Sequence, residues 1–434
     1  MQGKLMKAAA GVALAAGMAL SAGGTALAQD AVIHAGHLLA APGEGYKTKQ
    51  TITVTDGKIV SVEAGYKNAP RGVEVINLRD AYVLPGMIDS HVHITSETSP
   101  TARIEMFEDT DVDSAFKGAG FAYKTLLAGF TTVQDVGGSN EAVFGLRDAI
   151  ASGKVPGPRM RAAGRAVAVT GGHGDINGYS PAVMAMFAGS NICNGADDCR
   201  RAVRQQIKDG ADVIKITATG GVLSNTRAGL EQQFTNDELK AIVEAAHSMG
   251  RQVTAHAHGK GGIDSALRAG VDSIEHGSYT DEETIALFKE HDATLVPTVL
   301  AGATVTGWVN EPWLPAASRE KAAIVGPHMI EMLRMAHEGG VNVAFGTDTG
   351  VSRHGDNAQE LGLMVDAGFT PEEALRSATV IASEHIDMDK QVGTIEAGKY
   401  ADIIAVDGDP LKDIDEMLDV DFVMKGGTVY KGGN

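Results

Sequence analysis

Six side chains that could bind metal ions lie at or near the ends of short apolar runs in this chain. The six are His91, His93, Lys215, His256, His276 and Asp348. Residues i and i+2 of a strand face the same side, so His91 and His93 would point together. Imidazole nitrogens and carboxylate oxygens are ligands that suit a borderline metal such as Zn²⁺. The set therefore predicts a metal site to which several strands contribute.

Each of these residues also has a simpler explanation. A His-x-His pair is often solvated or packed in a core, and Asp348 could cap the turn that follows its strand. Lys215 is harder to explain, because a lysine in the apolar run Val213–Thr217 needs a partner. Packing does not explain six donors at the ends of five strands, so the metal interpretation is favoured.

The elements that would position these side chains repeat one pattern from residue 128 onward. A helical stretch ends in glycine or a polar turn, and a short β-branched strand follows, as at Gly210–Ile216 and Gly250–Ala255. Such strands, together with Tyr82–His93 and Met160–Val169, make eight, and the amphipathic run Asn236–Ser248 is one of the helices between them. This alternation predicts an α/β fold, a (β/α)₈ TIM barrel with catalytic side chains at the carboxyl ends of its strands. The alternative is a doubly wound open sheet, but no glycine-rich dinucleotide loop follows the first strand.

Both ends of the chain have a different pattern, which is typical of antiparallel strands. Residues 31–80 alternate apolar and polar positions, and Asp56-Gly57 between two such runs is a hairpin signal. Phe422–Tyr430 repeats this style near the other end. We expect the two ends to pair in one small discontinuous β-sandwich domain, residues 29–84 and 389–434, around a barrel of residues 85–388.

Two runs carry a resemblance to a known family. Pro85–His93 resembles the signature of the amidohydrolase superfamily, and Gly393–Asp407 resembles its closing segment. The chain is most similar to the binuclear branch of Xaa-Pro dipeptidase/carboxypeptidase-like and ochratoxin-hydrolysing enzymes. The shared features are Lys215, the run His256–Gly259, the run Gln233–Thr235 and the loop Gly171–Asp175.

This resemblance implies a site with two divalent metal ions, expected to be Zn²⁺. His91, His93 and Asp348 would bind the more buried ion, His256 and His276 would bind the exposed one, and Lys215, carboxylated to a carbamate, would bridge them. A hydroxide that two metals share is a nucleophile at neutral pH. Asp348 would take its proton and later transfer it to the leaving amine.

Four further residues are candidates for contacts with the substrate. His173 lies between glycines, and by resemblance it contacts the scissile carbonyl; His258 faces the same side as His256. Both are therefore candidate catalytic and substrate-binding residues. Arg227 could bind a substrate carboxylate through its guanidinium group, or lie on the surface, and His354 belongs to the loop after the last strand. The other histidines are interpreted as surface or helix-face residues without a role: His34, His37, His247, His291, His328, His337 and His385.

The function that follows is hydrolysis of the amide bond to a C-terminal amino acid, in a dipeptide, an N-acyl amino acid or an ochratoxin-like compound. A mononuclear deaminase or an imidazolonepropionase-like ring hydrolase is the competing enzyme, but such relatives generally lack the lysine on strand four. A non-catalytic metal-binding protein is the alternative of another class, and it would be expected to have lost ligands. The branch also implies a homo-oligomer, with an octamer as one candidate assembly.

The beginning of the chain has the pattern of a cleaved signal peptide. Two lysines precede the apolar run Ala8–Leu20, and Ala26-Leu27-Ala28 fits the cleavage site, so residues 1–28 are expected to be removed. A membrane anchor is the alternative, but the run is short and rich in small residues. We therefore expect a secreted protein, periplasmic or extracellular.

Composition excludes two classes of partner. The formal net charge is −18, which disfavours nucleic acids and anionic membranes, and aromatic residues make up only 5% of the chain. Cys193 and Cys199 are the two cysteines, and in an oxidising compartment we favour a disulfide between them over two free thiols. The substrate that the family resemblance implies is a small molecule or a dipeptide.

Overall fold

The computed structural model describes residues 30–187, 189–226 and 229–432. Within these residues the chain forms fifteen strands and fourteen α-helices. The strands are β1 (Ala31–Leu38), β2 (Lys47–Thr55), β3 (Lys58–Ala64), β4 (Glu74–Pro85), β5 (Met87–Val92), β6 (Phe130–Asp135), β7 (Arg159–Ala162), β8 (Ile214–Thr217), β9 (Val253–Ala257), β10 (Ser273–His276), β11 (Thr294–Val296), β12 (Asn342–Val343), β13 (Ile403–Val406), β14 (Phe422–Lys425) and β15 (Thr428–Lys431). The helices are α1 (Ala102–Glu108), α2 (Asp111–Leu127), α3 (Asn140–Ala151), α4 (Pro181–Met186), α5 (Ala196–Asp209), α6 (Asn236–His247), α7 (Lys260–Ala269), α8 (Glu282–Glu290), α9 (Val299–Gly307), α10 (Ala316–Val325), α11 (Met329–Glu338), α12 (Gln359–Asp366), α13 (Pro371–Arg376) and α14 (Ala382–His385).

Strands from both ends of the chain form one seven-stranded sheet. Its order is β15-β14-β13-β4-β1-β2-β3, and β13 pairs antiparallel to β4 with Ile403 opposite Pro85. The predicted hairpin joins β2 to β3, with Asp56 and Gly57 at φ 50° and 74°. Pairing of the two ends is thus confirmed, while a sandwich of two sheets stays a prediction.

Eight parallel strands lie between these ends in sequence. They form a three-stranded sheet, β5-β6-β7, and a five-stranded sheet, β12-β11-β10-β9-β8. Single bridges connect the two sheets on both sides, Val167 with Ile216 and Val92 with Thr349. The α/β class is confirmed, and this strand order is consistent with the predicted (β/α)₈ barrel.

Two predicted strands have the wrong extent. Tyr82–His93 is not one strand, because β4 ends at Pro85 in the seven-stranded sheet and β5 begins at Met87 in another. The chain changes sheets at Gly86, where a Cβ atom would lie 2.1 Å from the Thr131 hydroxyl oxygen. Met160–Val169 contains only the end of β7 and two isolated bridges, at Val167 and Ala168, because the chain turns at Gly164, whose φ is 66°.

Burial and capping explain how the helices and parallel strands are fixed. Every residue of β8 and β9 is buried, so polar side chains on these strands are held within the core. The predicted helix α6 begins with a capping box in which Thr235 and Glu238 bond to each other's backbone N–H.

The predicted disulfide between Cys193 and Cys199 is present, and both residues are buried. Among the described residues, no helix combines the length and the apolar composition needed to cross a bilayer.

Candidate active site

The end of β5 presents two imidazoles whose orientation is fixed by hydrogen bonds. His91 Nδ1 lies 2.5 Å from Glu275 Oε2, and His93 Nδ1 lies 2.7 Å from the carbonyl oxygen of Gly137. A carbonyl oxygen only accepts hydrogen bonds, so Nδ1 of His93 carries the proton. In both rings Nε2 is therefore left with a free lone pair, which is the form that binds metals.

Asp348 faces these two rings. Its Oδ1 lies 3.4 Å from Nε2 of His91 and 3.2 Å from Nε2 of His93. This buried oxygen accepts no hydrogen bond from any residue in the described part of the chain. Two nitrogen lone pairs and a carboxylate oxygen thus meet without a proton donor between them. A cation fits this arrangement, and it would satisfy all three atoms.

A second group of imidazoles lies beside the first. His256, His258 and His276 each offer a ring nitrogen, and these nitrogens lie within 4.8 Å of one another. His276 Nδ1 is 2.7 Å from the Thr298 hydroxyl, and His258 Nδ1 is 2.8 Å from the Ser278 hydroxyl. His258, which we expected to contact substrate, therefore also stands where a metal ligand could.

Burial keeps this second group neutral. It is the largest cause that lowers the pKa of His256 and His276 well below the ordinary value, and repulsion from neighbouring imidazoles and Lys215, when these are protonated, adds to it. Burial likewise lowers the pKa of His258 to about 3. Neutral imidazole is the metal-binding form of histidine. The environment therefore prepares these side chains for ligation.

Three residues that line the cavity have a strained backbone. The φ angles of His276, Thr298 and Asp348 are 70°, 51° and 56°, in the left-handed region that non-glycine residues rarely adopt. Each such conformation costs on the order of 1–3 kcal/mol and persists where the surroundings enforce it. Such strain is concentrated at functional sites.

Lys215 is buried on β8 and lines the cavity that also contains His91, His256 and Asp348. Burial lowers the pKa of its ammonium group, while the carboxylates of Glu275 and Asp348 act in the opposite direction. The six predicted metal-binding residues therefore come together at one place.

His173 also reaches this cavity. Its Nδ1 bonds to the Ser224 hydroxyl, its backbone N–H donates to Gln233 Oε1 at 2.9 Å, and its ring centroid lies 4.2 Å from that of His256. Burial, followed by the charges of Lys321 and Lys215, lowers the pKa of His173 to about 4. A neutral His173 beside the second imidazole group could contact a bound substrate.

One other predicted contact is not brought to the cavity, and another cannot be placed among the described residues. His354 does not line it, because its Nε2 bonds to the carbonyl oxygen of Ser96 at 2.8 Å and its ring stacks on Phe121 at 4.5 Å. Arg227 lies outside the described residues. The interpretation of His34 as a surface residue was wrong, since it is buried on β1 and bonds to the carbonyl oxygen of Lys67.

Sequence reasoning missed the residues that hold the candidate metal-binding side chains in place. Glu275 is fully buried and bonds to His91 and to the Thr254 hydroxyl. Asp135 accepts from the backbone N–H of Gly137 at 3.1 Å, and it thereby fixes the loop whose carbonyl orients His93. Both residues are carboxylates on buried strands, and this pattern could have indicated them, just as the lysine on a buried strand indicated Lys215.

The cavity has a volume of about 300 Å³ and two kinds of lining. Candidate metal-binding side chains line one part of it, and aliphatic and sulfur-containing side chains line another. The apolar lining consists of Val136, Ala166, Val222, Leu223, Ala301, Val305, Val325, Met329 and Val351. The cavity can therefore hold an apolar group next to a polar reacting centre.

Comparison with known proteins agrees with this geometry. The model of the amidohydrolase family matches residues 82–430. Ochratoxinase of Aspergillus niger is 33% identical over 435 residues, covering 92% of this chain and 86% of that protein. The solved structure of a Xaa-Pro dipeptidase with methionine bound in its active site is 40% identical, with a TM-score of 0.89 over 93% of this chain and 100% of that one.

A third relative was solved with a bound ligand. A prolidase solved in complex with N-methylphosphonate-L-proline is 31% identical, with a TM-score of 0.85, covering 93% of this chain and 100% of that one. Each match extends over nearly the whole described chain, so the likeness is not confined to one motif. The chain therefore belongs to the amidohydrolase family, as the sequence predicted, and it is a hydrolase that acts on carbon–nitrogen bonds.

Proposed function

We propose that this protein is a two-metal amidohydrolase that hydrolyses the amide bond to a C-terminal amino acid. One observation carries the proposal: two groups of metal-binding side chains and a buried lysine line a single cavity. A mononuclear enzyme would need neither the second group nor Lys215. We also infer that the eight parallel strands close into the barrel that this arrangement requires.

The residues that would hold the metals fall into two sets. His91, His93 and Asp348 form one set, and His256 and His276 form the other. Two divalent ions there, expected to be Zn²⁺, would lower the pKa of a shared water molecule and polarise the substrate carbonyl. Burial favours the neutral amine of Lys215, which is the form that can add CO₂, and the resulting carbamate would offer anionic oxygens to both sets.

Asp348 is the group placed to move the proton. Burial acts to raise its pKa, but His91 and His93, when their Nε2 atoms carry a proton, lower the pKa well below the ordinary value, and a cation in place of those protons would act in the same direction. Asp348 is therefore ionised at neutral pH, and it can accept a proton from water and transfer it to the leaving nitrogen. His173 and His258 would then donate hydrogen bonds to the oxygen of the carbonyl under attack.

The relatives and the cavity support an amino acid as the leaving group. Ochratoxinase, a Xaa-Pro dipeptidase and a prolidase are among the similar proteins, so we infer that the scissile nitrogen belongs to an amino acid. The apolar lining near Val305 and Met329 suits an apolar substituent. We propose that Arg227 binds the α-carboxylate of the leaving group, which would make cleavage carboxypeptidase-like.

A homo-oligomer also remains a proposal. The helices α1, α2 and α4 expose large apolar side chains, including Phe116 at 75% and Met186 at 76%. Exposed apolar residues grouped on neighbouring elements are typical of association surfaces.

A substrate panel tests the reaction. Dipeptides and N-acyl amino acids are incubated with the metal-loaded protein, and mass spectrometry identifies the products; a free C-terminal amino acid is the expected product. For the best substrate, amidating its C-terminus should lower kcat/KM, and Arg227→Ala should remove the difference between acid and amide. Arg353→Ala changes an exposed arginine and serves as the matched control. Equal rates for acid and amide with the unmodified protein would reject the role of Arg227, and no cleavage across the panel would reject the reaction.

A further inference from the structure

Lys321 is a buried lysine beside the active-site cavity, and the proposed mechanism does not use it. Lys321 is on α10 and is 7% exposed. Its Nζ donates to two backbone carbonyl oxygens, at 2.7 Å to Gly221 and 2.8 Å to Ser224. In the described part of the chain, no carboxylate lies within 4.0 Å of this nitrogen. Its partners are therefore uncharged atoms of one short loop.

Burying an ammonium group without a counter-charge is unfavourable. The desolvation that accompanies burial lowers the pKa of Lys321 to about 8, which reflects this penalty. Lysine is almost never fully buried unless it is paired. Bonds to two carbonyls offset part of the penalty, but an apolar side chain at this position would avoid it. A lysine at this position therefore indicates that it serves to fix the loop 221–224.

The two residues that Lys321 holds are also the residues against which His173 packs. Gly221 lies under the imidazole ring, where a Cβ atom would be 2.3 Å from Cε1 of His173. Ser224 offers its hydroxyl to Nδ1 of the same ring. Lys321 therefore bonds to the carbonyl oxygens of Gly221 and Ser224, the same two residues that contact the imidazole ring of His173.

We propose that Lys321 is a positioning residue that sets the orientation of His173 through the segment 221–224. This inference rests on the proposed function only for the role of His173 at the substrate carbonyl. Val222 and Leu223 lie between the two held carbonyls and line the cavity, so the same anchor also fixes part of its apolar wall. Without Lys321, the carbonyl oxygens of Gly221 and Ser224 would lose the hydrogen-bond donor that fixes their position.

Lys321→Met tests the anchor, because methionine is similar in length and cannot donate. Misplacement of a catalytic group by about 1 Å can cost on the order of 100-fold. We expect kcat to fall about 10- to 100-fold with KM changed less than about threefold, since His173 would act on the transition state. Lys425→Met is the matched control: Lys425 also donates to a backbone carbonyl, that of Gly157 at 2.5 Å, and does not line the cavity. It should change the thermal midpoint and leave kcat unaltered.

A double-mutant cycle separates positioning from a general loss of stability. If Lys321 acts through His173, Lys321→Met should lower kcat little further in a His173→Ala background. Ser224→Ala removes only the hydroxyl at the end of the same pathway, and it should likewise be non-additive with Lys321→Met. Equal fold-losses from Lys321→Met with and without His173 would overturn the proposal, as would an unchanged kcat in a folded, metal-loaded variant.

A crystal structure of Lys321→Met needs no substrate, so its result stands even if the proposed reaction is wrong. We expect the His173 ring to move away from His256, lengthening the centroid distance of 4.2 Å, and its contact with Ser224 to be lost. If Lys321→Met does not fold, Ser224→Ala gives the same reading of ring position and kcat. An unmoved His173 ring in the variant crystal would overturn the proposal.

Discussion

His91 and Glu275 lie against each other in the core, with His91 Nδ1 2.5 Å from Glu275 Oε2 and both residues at most 1% exposed. Burial acts to raise the pKa of Glu275, but positive charge on His91 and Lys215, when these groups are protonated, and the bonds from His91 and Thr254 lower it to about 2. A bound cation would act in the same direction. Glu275 is therefore ionised, and it holds the ring of His91 so that Nε2 faces the cavity.

Glu275→Gln should weaken metal binding. A neutral amide orients the imidazole less strongly and makes it less basic, and changes of this kind typically cost about 10- to 100-fold in metal affinity. Competition with a chromophoric chelator measures this loss. Glu238→Gln is the control, because Glu238 is also largely buried but caps α6 away from the cavity. Equal metal affinity in the Glu275 variant and the unmodified protein would exclude the role of Glu275.

Lys215→Ala should lose most activity and at least one metal ion per chain, because no carbamate can form. Intact-protein mass spectrometry under non-acidic conditions should detect one added CO₂ on the unmodified protein and none on the variant. Lys208→Ala, at an exposed lysine of α5, is the control. Full metal content and normal turnover in the Lys215 variant would reject the bridging role.

Asp348→Asn should lower kcat by several orders of magnitude, since both activation of water and protonation of the leaving nitrogen depend on this carboxylate. Asparagine keeps the shape of the side chain, so folding should be retained. Steady-state kinetics at saturating metal measure the effect. A rate within about tenfold of that of the unmodified protein would remove Asp348 from the mechanism.

Lys425 should make stability depend on alkaline pH. Burial lowers the pKa of its ammonium group to about 8, below the 10.5 of an ordinary lysine. Between these values the unfolded chain binds the proton more readily than the folded one, so stability rises as pH increases from 8 to 10.5, by at most about 3 kcal/mol. Thermal midpoints across this range should rise less for Lys425→Met than for the unmodified protein. Parallel pH curves for the two proteins would show that Lys425 is not responsible.

We propose that the chain is exported and cleaved after Ala28. N-terminal sequencing of periplasmic or extracellular material should then begin at Gln29. A protein that retains Met1 in that material would contradict cleavage.

Much of the site could be predicted because its side chains stand out against apolar strands. Lys215 and His256 are polar residues on strands that are buried throughout, and each was found from sequence alone. Glu275 is likewise a polar residue on a buried strand, but the sequence predicted a role only for the adjacent His276. Only the fold shows that Glu275 reaches His91 on another strand.

Other features depend on contacts between distant parts of the chain. The change of sheet at Gly86 follows from the close approach of Thr131, which no local pattern indicates. Likewise His354 follows a predicted strand end but turns to Ser96 and Phe121, because loop geometry and not strand periodicity directs it. The two carbonyls that Lys321 holds lie about a hundred positions away in sequence, so no local pattern could have connected them.

Titrating the metal-free protein with Zn²⁺ tests the central claim most directly. The rate of hydrolysis of the best substrate is measured against the number of ions bound per chain, in the presence of bicarbonate as the source of CO₂. The two-metal account predicts that full activity requires two ions per chain and that Lys215→Ala never reaches it. Full activity at one ion per chain, or in metal-free protein, would contradict the account.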